Sequence, residues 1–247
     1  IMKNQGIKNL SRLVFIAIFL FISINIFSQT ELLHLKFEDN LIGADGEIPT
    51  YYDVNFPVTY HFGIDGKAAL FPAFNQVRYA EDNIAELEGS MAYWIKPNWE
   101  NSHDHRIFRY GGTGGMLFGT DGGGYYVSLI NVAMGTGELY ANFNANSWQN
   151  DQWYFVVHTW NREAPSNEEA LQVYVNGVKV AQNDPNRSRT NIHLIEDDEF
   201  QVGGEGSSSS LEAYLDNYII LDYQLTDQQV SDLFNSLEPP DDLVLEC

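Results

Sequence analysis

Basic residues are scarce in this chain. Of its 247 residues, 13 are Lys or Arg and 34 are Asp or Glu, giving a formal net charge of −21. That balance excludes nucleic acid and anionic membrane surfaces as partners, because both are held by basic patches. Cysteine is nearly missing: the single one is Cys247, the last residue. No internal disulfide can form, so stability must come from a buried core. A long apolar run is missing beyond residue 27. The run from Leu13 to Phe27 is broken by Ser23 and Asn25, and it is shorter than the roughly 20 residues that a membrane span needs.

What is present begins with an export pattern. Lys3, Lys8 and Arg12 precede the apolar run, and Ser28-Gln29 follows it with a small residue at the cut. Basic, then apolar, then small is the order of a secretory signal peptide. Residues 1–28 are therefore expected to be removed, with no membrane insertion afterwards and a secreted or cell-surface destination. Removal takes away three basic residues and no acidic one. It leaves ten against 34, a net charge near −24. Most of that acidity serves solubility, and it leaves room for cation binding.

The remaining chain reads as strands. Leu33, Leu35 and Phe37 alternate with polar neighbours, as do Leu171, Val173 and Val175; Met91, Tyr93 and Ile95 also keep a period of two. Asn176-Gly177 between two such runs is the preferred two-residue hairpin turn. Further strands are predicted near 67–72, 77–80, 106–110, 125–132, 138–143, 153–160, 199–202 and 211–222. The last is apolar on both faces and should be central, with Leu215, Ile219 and Leu221 on one face and Tyr214, Tyr218 and Ile220 on the other. About a dozen strands at this spacing indicate a sandwich. The glycine-rich stretches 111–115 and 121–124 precede no helix and read as turns between strands, not phosphate loops. One helix is predicted near the end. Thr226 and Gln229 form a capping-box pair, Leu225 and Val230 a staple, and Val230, Leu233 and Phe234 an apolar face. Glu238-Pro239-Pro240-Asp241-Asp242 then reads as a linker, and Leu245-Glu246-Cys247 as the start of a further domain.

The ordered set of segments resembles the laminin-G-like, concanavalin A-like family of jelly-roll domains. Leu33–Asp39 looks like its first strand, Gly66–Phe71 like its G-x-A-x-x-F strand, and Ser90–Pro97 like S-x-x-x-W-I-K-P. Trp153–Trp160 with Leu171–Gly177 looks like W-x-x-V-x-x-T followed by L-x-x-Y-V-N-G. Leu215–Ile220 and the capped helix look like the closing element. Asn217 departs from the pattern, standing where the family usually has Glu. The resemblance spans about residues 31–237. It implies an all-β, two-sheet antiparallel jelly roll with one short C-terminal helix, as a single domain over 29–237.

Similar domains often hold a structural calcium between the first and last strands. That implies Glu38, Asp39 and Asp216 as ligands, with Asp45 and Asp65 able to add oxygens toward the six to eight that calcium takes. The alternative for Asp216 is a buried carboxylate bonded to backbone. His103-Asp104-His105 has too few partners for a transition-metal site and reads as a solvated loop. The fold also carries glycoside hydrolases and lyases, whose retaining members use two carboxylates about 5 Å apart. The one dense acidic run, Glu196–Glu199, precedes a strand and lacks the spacers that would aim alternate carboxylates into a cleft. No Ser-His-Asp signature appears. The reading is a non-catalytic recognition module for carbohydrate or an extracellular protein, with an enzyme of the same fold or an adhesive spacer as alternatives. Candidate stacking residues near loops or sheet faces are Trp99, Tyr110, Tyr125, Tyr126 and Trp148. Trp94, Trp153 and Trp160 are assigned to the core.

Overall fold

Asn176 and Gly177 have φ values of 49° and 75°, the two positive angles that a tight hairpin turn demands. They join two strands of a fifteen-strand array in the computed structural model. It describes residues 29–237 except 86, 100–103, 112–114, 122, 132–137, 188–198 and 205–209. The export segment, His103, Glu196–Asp198 and the 238–247 linker lie outside the described residues.

In chain order the strands are β1 (Glu31–Leu35), β2 (Tyr51–Tyr52), β3 (Thr59–Phe62), β4 (Lys67–Phe71), β5 (Gln76–Ala80), β6 (Glu88–Pro97), β7 (His105–Tyr110) and β8 (Met116–Thr120). There follow β9 (Tyr125–Asn131), β10 (Glu138–Asn144), β11 (Tyr154–Asn161), β12 (Leu171–Val175), β13 (Val178–Gln182), β14 (Glu199–Gly203) and β15 (Ala213–Leu221). Helix α1 (Asp227–Leu237) closes the described chain. One sheet runs β13-β12-β11-β6-β15-β4-β3, with β1 also on β15; the other runs β10-β9-β8-β7-β14-β5-β2. Every described pairing is antiparallel. The chain folds as a jelly-roll sandwich. Among the described residues no helix is long and apolar enough to cross a membrane.

The inner faces bury one core that includes Phe37, Phe71, Tyr93, Phe118, Trp160 and Tyr218. A second cluster, with Trp94, Phe155, Tyr174 and Leu221, lies on the outer face of the eight-stranded sheet under α1. Trp94 and Trp160 are buried, whereas Trp153 is half-buried and packs at the edge of this second cluster. The helix starts as its capping box predicts: Gln229 Oε1 accepts the Thr226 N–H at 2.9 Å, and Thr226 Oγ1 accepts the Gln229 N–H at 3.3 Å. Gly177 lies beneath this helix, where a Cβ would approach Phe234 to 3.1 Å.

Strand β15 is central, between β6 on one side and β4 and β1 on the other. Its facing differs from the simple alternation. Leu215, Tyr218 and Ile220 enter the main core, and Ile219 and Leu221 enter the helix-side cluster. A bulge between Asp216 and Ile219, with Asn217 at φ 46°, inserts the extra residue that reverses the phase.

Candidate recognition surface

The candidate stacking residues separate according to burial. Tyr110 and Tyr126 are 2% and 0% exposed and belong to the core, so neither can meet a ligand. Tyr126 points inward because its hydroxyl joins a buried network. It bonds the Tyr93 hydroxyl and lies 3.2 Å from His158 Nε2, which is also 2.9 Å from the Tyr93 hydroxyl. Ser128 Oγ stands 3.1 Å from His158 Nδ1. Burial pulls the His158 pKa down to about 3, keeping the ring neutral.

Trp99 and Trp148 reach a cleft of about 130 Å³ at one end of the sandwich, with His105, Asp121, Asn146 and Asn150. Trp99 is nevertheless buried. Its ring stacks on His105 at 4.7 Å and on Trp148 at 5.9 Å, and Trp148 stacks in turn on Tyr154 at 4.4 Å. Four rings in series leave Trp99 and Trp148 as wall, not as open platforms. His105 is the buried first residue of β7, with Nδ1 3.2 Å from the Ser210 carbonyl oxygen, so it is not part of a solvated loop. Asp121 Oδ1 and the Asn150 amide are spent on main-chain groups of the local loops. Tyr125, 44% exposed, is the one candidate whose ring lies open, at the rim where β9 begins.

Among the described residues no helix packs on the outer face of the seven-stranded sheet, whose side chains are mostly half-buried. Strand alternation places Tyr51, Arg78, Gln201, Arg109, Leu117, Leu129 and Tyr140 in one row across all seven strands. Their neighbours along each strand, such as Val77, Tyr79, Phe108, Phe118 and Ile130, fill the core. A second row holds Arg106, Gly119, Val127 and Asn142, and a third pairs Tyr125 with Asn144. At about 4.8 Å per strand the long row spans roughly 29 Å. Its end rings are steadied by guanidinium groups, Arg78 at 5.0 Å over Tyr51 and Arg187 at 5.5 Å over Tyr140. Among the described residues Arg78, Arg106, Arg109 and Arg187 all meet this face. The sequence did not single out this row. Its signal was the set of polar positions between the inward apolar ones, which becomes a surface only once the strand order is known.

This face carries no catalytic carboxylate pair among the described residues. Glu199 on β14 is held by Arg78 at 3.2 Å, and Glu138 on β10 by Arg187 at 2.5 Å. They stand four strand steps apart, about 19 Å, whereas glycosidase pairs lie about 5–9.5 Å apart.

The three carboxylates expected at a metal all meet the turn between β3 and β4, each through a different partner group. Asp39 is paired with Lys67 Nζ at 2.7 Å, and Glu38 Oε1 accepts the Lys67 N–H at 3.0 Å. Asp216 Oδ2 accepts the N–H groups of Ile64 at 2.7 Å and Asp65 at 3.2 Å. Its Oδ1 is buried with no hydrogen-bond partner, and burial pushes its carboxyl pKa up to about 7. Among the described residues no group of three or more His, Cys, Asp or Glu could hold a metal ion. Asp216 thus fits a cation through one oxygen, and Glu38 and Asp39 have other work.

A family model described as the concanavalin A-like lectin/glucanases superfamily matches residues 72–231. No curated protein matches the chain. The fold is similar to the binding domain of botulinum neurotoxin DC in complex with SialylT, at 16% identity and a TM-score of 0.66. The same domain in complex with rat synaptotagmin II gives 18% and 0.64; in both comparisons 84% of this chain and 52% of the other are covered. The chain therefore spans about half the length of those domains. Domain 4 of AbnA, an extracellular GH43 arabinanase from Geobacillus stearothermophilus, in complex with arabinotriose, matches at 17% identity and a TM-score of 0.57, over 83% of this chain and 98% of that one. At such identities the likeness establishes the fold.

Proposed function

The chain belongs to the concanavalin A-like lectin/glucanases superfamily, and from that membership we propose that it is an exported, non-catalytic recognition module that binds carbohydrate. The carrying observation is the row from Tyr51 to Tyr140 on the outer face of the seven-stranded sheet. The half-buried guanidinium groups and the exposed Asn142 amide are the groups on that face to meet hydroxyls. Leu117 and Leu129 offer apolar contact to the C–H faces of a sugar, and Tyr125 extends the surface toward the cleft. The wide separation of Glu138 and Glu199 speaks for binding without hydrolysis. Relatives of the same fold include domains solved with SialylT and with arabinotriose, which is consistent with a sugar ligand. Export rests on residues 1–28.

Calcium remains part of this reading at Asp216 alone. The ion would take Oδ1 and draw its remaining oxygens from main-chain carbonyls and water.

The test is a screen of immobilised glycans and polysaccharides, with and without calcium, using wild type, Tyr140→Ala and Gln201→Ala. Wild type is expected to be retained by at least one glycan class, and each variant to bind about tenfold more weakly. Wild type that retains no glycan, or variants that bind as wild type does, would overturn the proposal.

A further inference from the structure

We infer a second interaction surface along the side of the sandwich where β2 and β3 end the two sheets. Its occupant is an added β-strand of another protein, with apolar and basic side chains in alternation. Among the described residues β3 pairs only with β4, and β2 only with β5, so both described sheets stop here with outward main-chain groups unpaired. Gly63 donates its N–H to the Gly66 carbonyl at 3.1 Å. Counting back along the ladder, Phe62 opposite Lys67 and Tyr60 opposite Ala69 are then non-bonded pairs. Their N–H and C=O groups face outward, ready for another strand.

The surroundings are unusually apolar. Among the described residues twelve large hydrophobics are exposed, eight of them from Ile42 to Phe74, and Phe62 is 90% exposed. Edge strands are ordinarily blunted by lysine or proline within the strand; β3 contains neither. Between Lys36 and Lys67 there is no lysine or arginine, while Glu38, Asp39, Asp45, Glu47, Asp53 and Asp65 are all acidic. That charge selects the partner. A second copy would bring six more carboxylates and a like net charge, whereas a basic and apolar strand is complementary.

The experiment titrates wild type, Phe62→Pro and Phe62→Lys into a labelled ten-residue peptide alternating valine with arginine, at about 0.15 M salt. A scrambled peptide of the same composition is the control. The alternating peptide is expected to bind about tenfold tighter than the scrambled one. Phe62→Pro removes an outward N–H without touching the β3–β4 ladder and should abolish that preference. Phe62→Lys keeps the N–H, adds repulsion toward arginine, and should weaken binding several-fold. Melting curves establish that each variant is folded; should the proline variant not fold, the lysine variant decides. Three outcomes would overturn the inference. One is equal binding of both peptides, which is charge attraction alone. Another is dimerisation of wild type that Phe62→Pro abolishes. The third is flotation of the protein with phosphatidylcholine vesicles.

Discussion

Asp216 and Ile64 lie 152 positions apart, yet a 2.7 Å hydrogen bond from the Ile64 N–H to Asp216 Oδ2 ties the β15 bulge to the β3–β4 turn. Gly63 makes that approach possible, since a Cβ there would run into the same carboxylate oxygen. The bond costs burial of a carboxyl whose other oxygen has no partner, which makes the junction sensitive to pH.

Folding raises the Asp216 pKa to about 7, above its ordinary value of 3.8. Its contribution is full below about pH 4 and is lost as pH rises through 7. His158 runs the other way: with a folded pKa of about 3 against 6.5, its contribution is full above pH 6.5 and is lost as pH falls toward 3. Each slope is about 1.4 kcal/mol per pH unit. In metal-free buffer the two should nearly cancel between pH 4 and 6.5. Asp216→Asn removes one of them, so the variant should lose stability steadily below pH 6.5. Urea unfolding at pH 7, 6 and 5 measures both profiles.

Calcium should act through the same carboxyl. An ion on Oδ1 favours the ionised form, so added calcium should raise the wild-type melting temperature at pH 7 and leave Asp216→Asn unchanged. No shift with calcium or with chelator in wild type, together with no calcium uptake by calorimetry, would remove the ion from Asp216.

Asn217 holds the bulge at φ 46°, and its Nδ2 is buried without a partner. Asn217→Gly should therefore be neutral within about 0.5 kcal/mol, since glycine adopts that angle freely. Asn217→Val should cost about 2 kcal/mol, because a β-branched side chain resists it. Chemical denaturation compares the two variants.

The His158 ring lies flat on Phe118 at a centroid distance of 4.0 Å, within the Tyr93–Tyr126–Ser128 network. His158→Ala opens a cavity and strands the Ser128 hydroxyl. It should cost about 3 kcal/mol. Thr226→Ala, which removes only a helix cap, should cost about 1 kcal/mol. Both are read from denaturation midpoints.

Local rules carried the sequence reading where neighbours along the chain decide the outcome. Asn176-Gly177, the Thr226–Gln229 box and the alternating runs each dictate their own geometry. The reading failed where a distant residue decides. In Tyr125-Tyr126 either ring satisfies the alternation, and only Tyr93 and His158, from other strands, draw Tyr126 inward. Trp99 looked like a loop aromatic until His105 and Trp148 stacked against it. The short strands β2, β3 and β8 were missed because they are brief and sit among turn residues. The phase of β15 was misread because one residue at Asn217 inverts everything after it. The row on the seven-stranded sheet depends on β14 lying between β5 and β7, a strand order that spacing along the chain cannot supply.

Helix α1 gives the molecule a front and a back. It ends at Leu237 on the outer side of the eight-stranded sheet, which is the back. The row from Tyr51 to Tyr140 looks the opposite way. A tether at that end would hold the domain like a hand with its palm turned outward. Crowding at the anchor would then leave the proposed binding side clear.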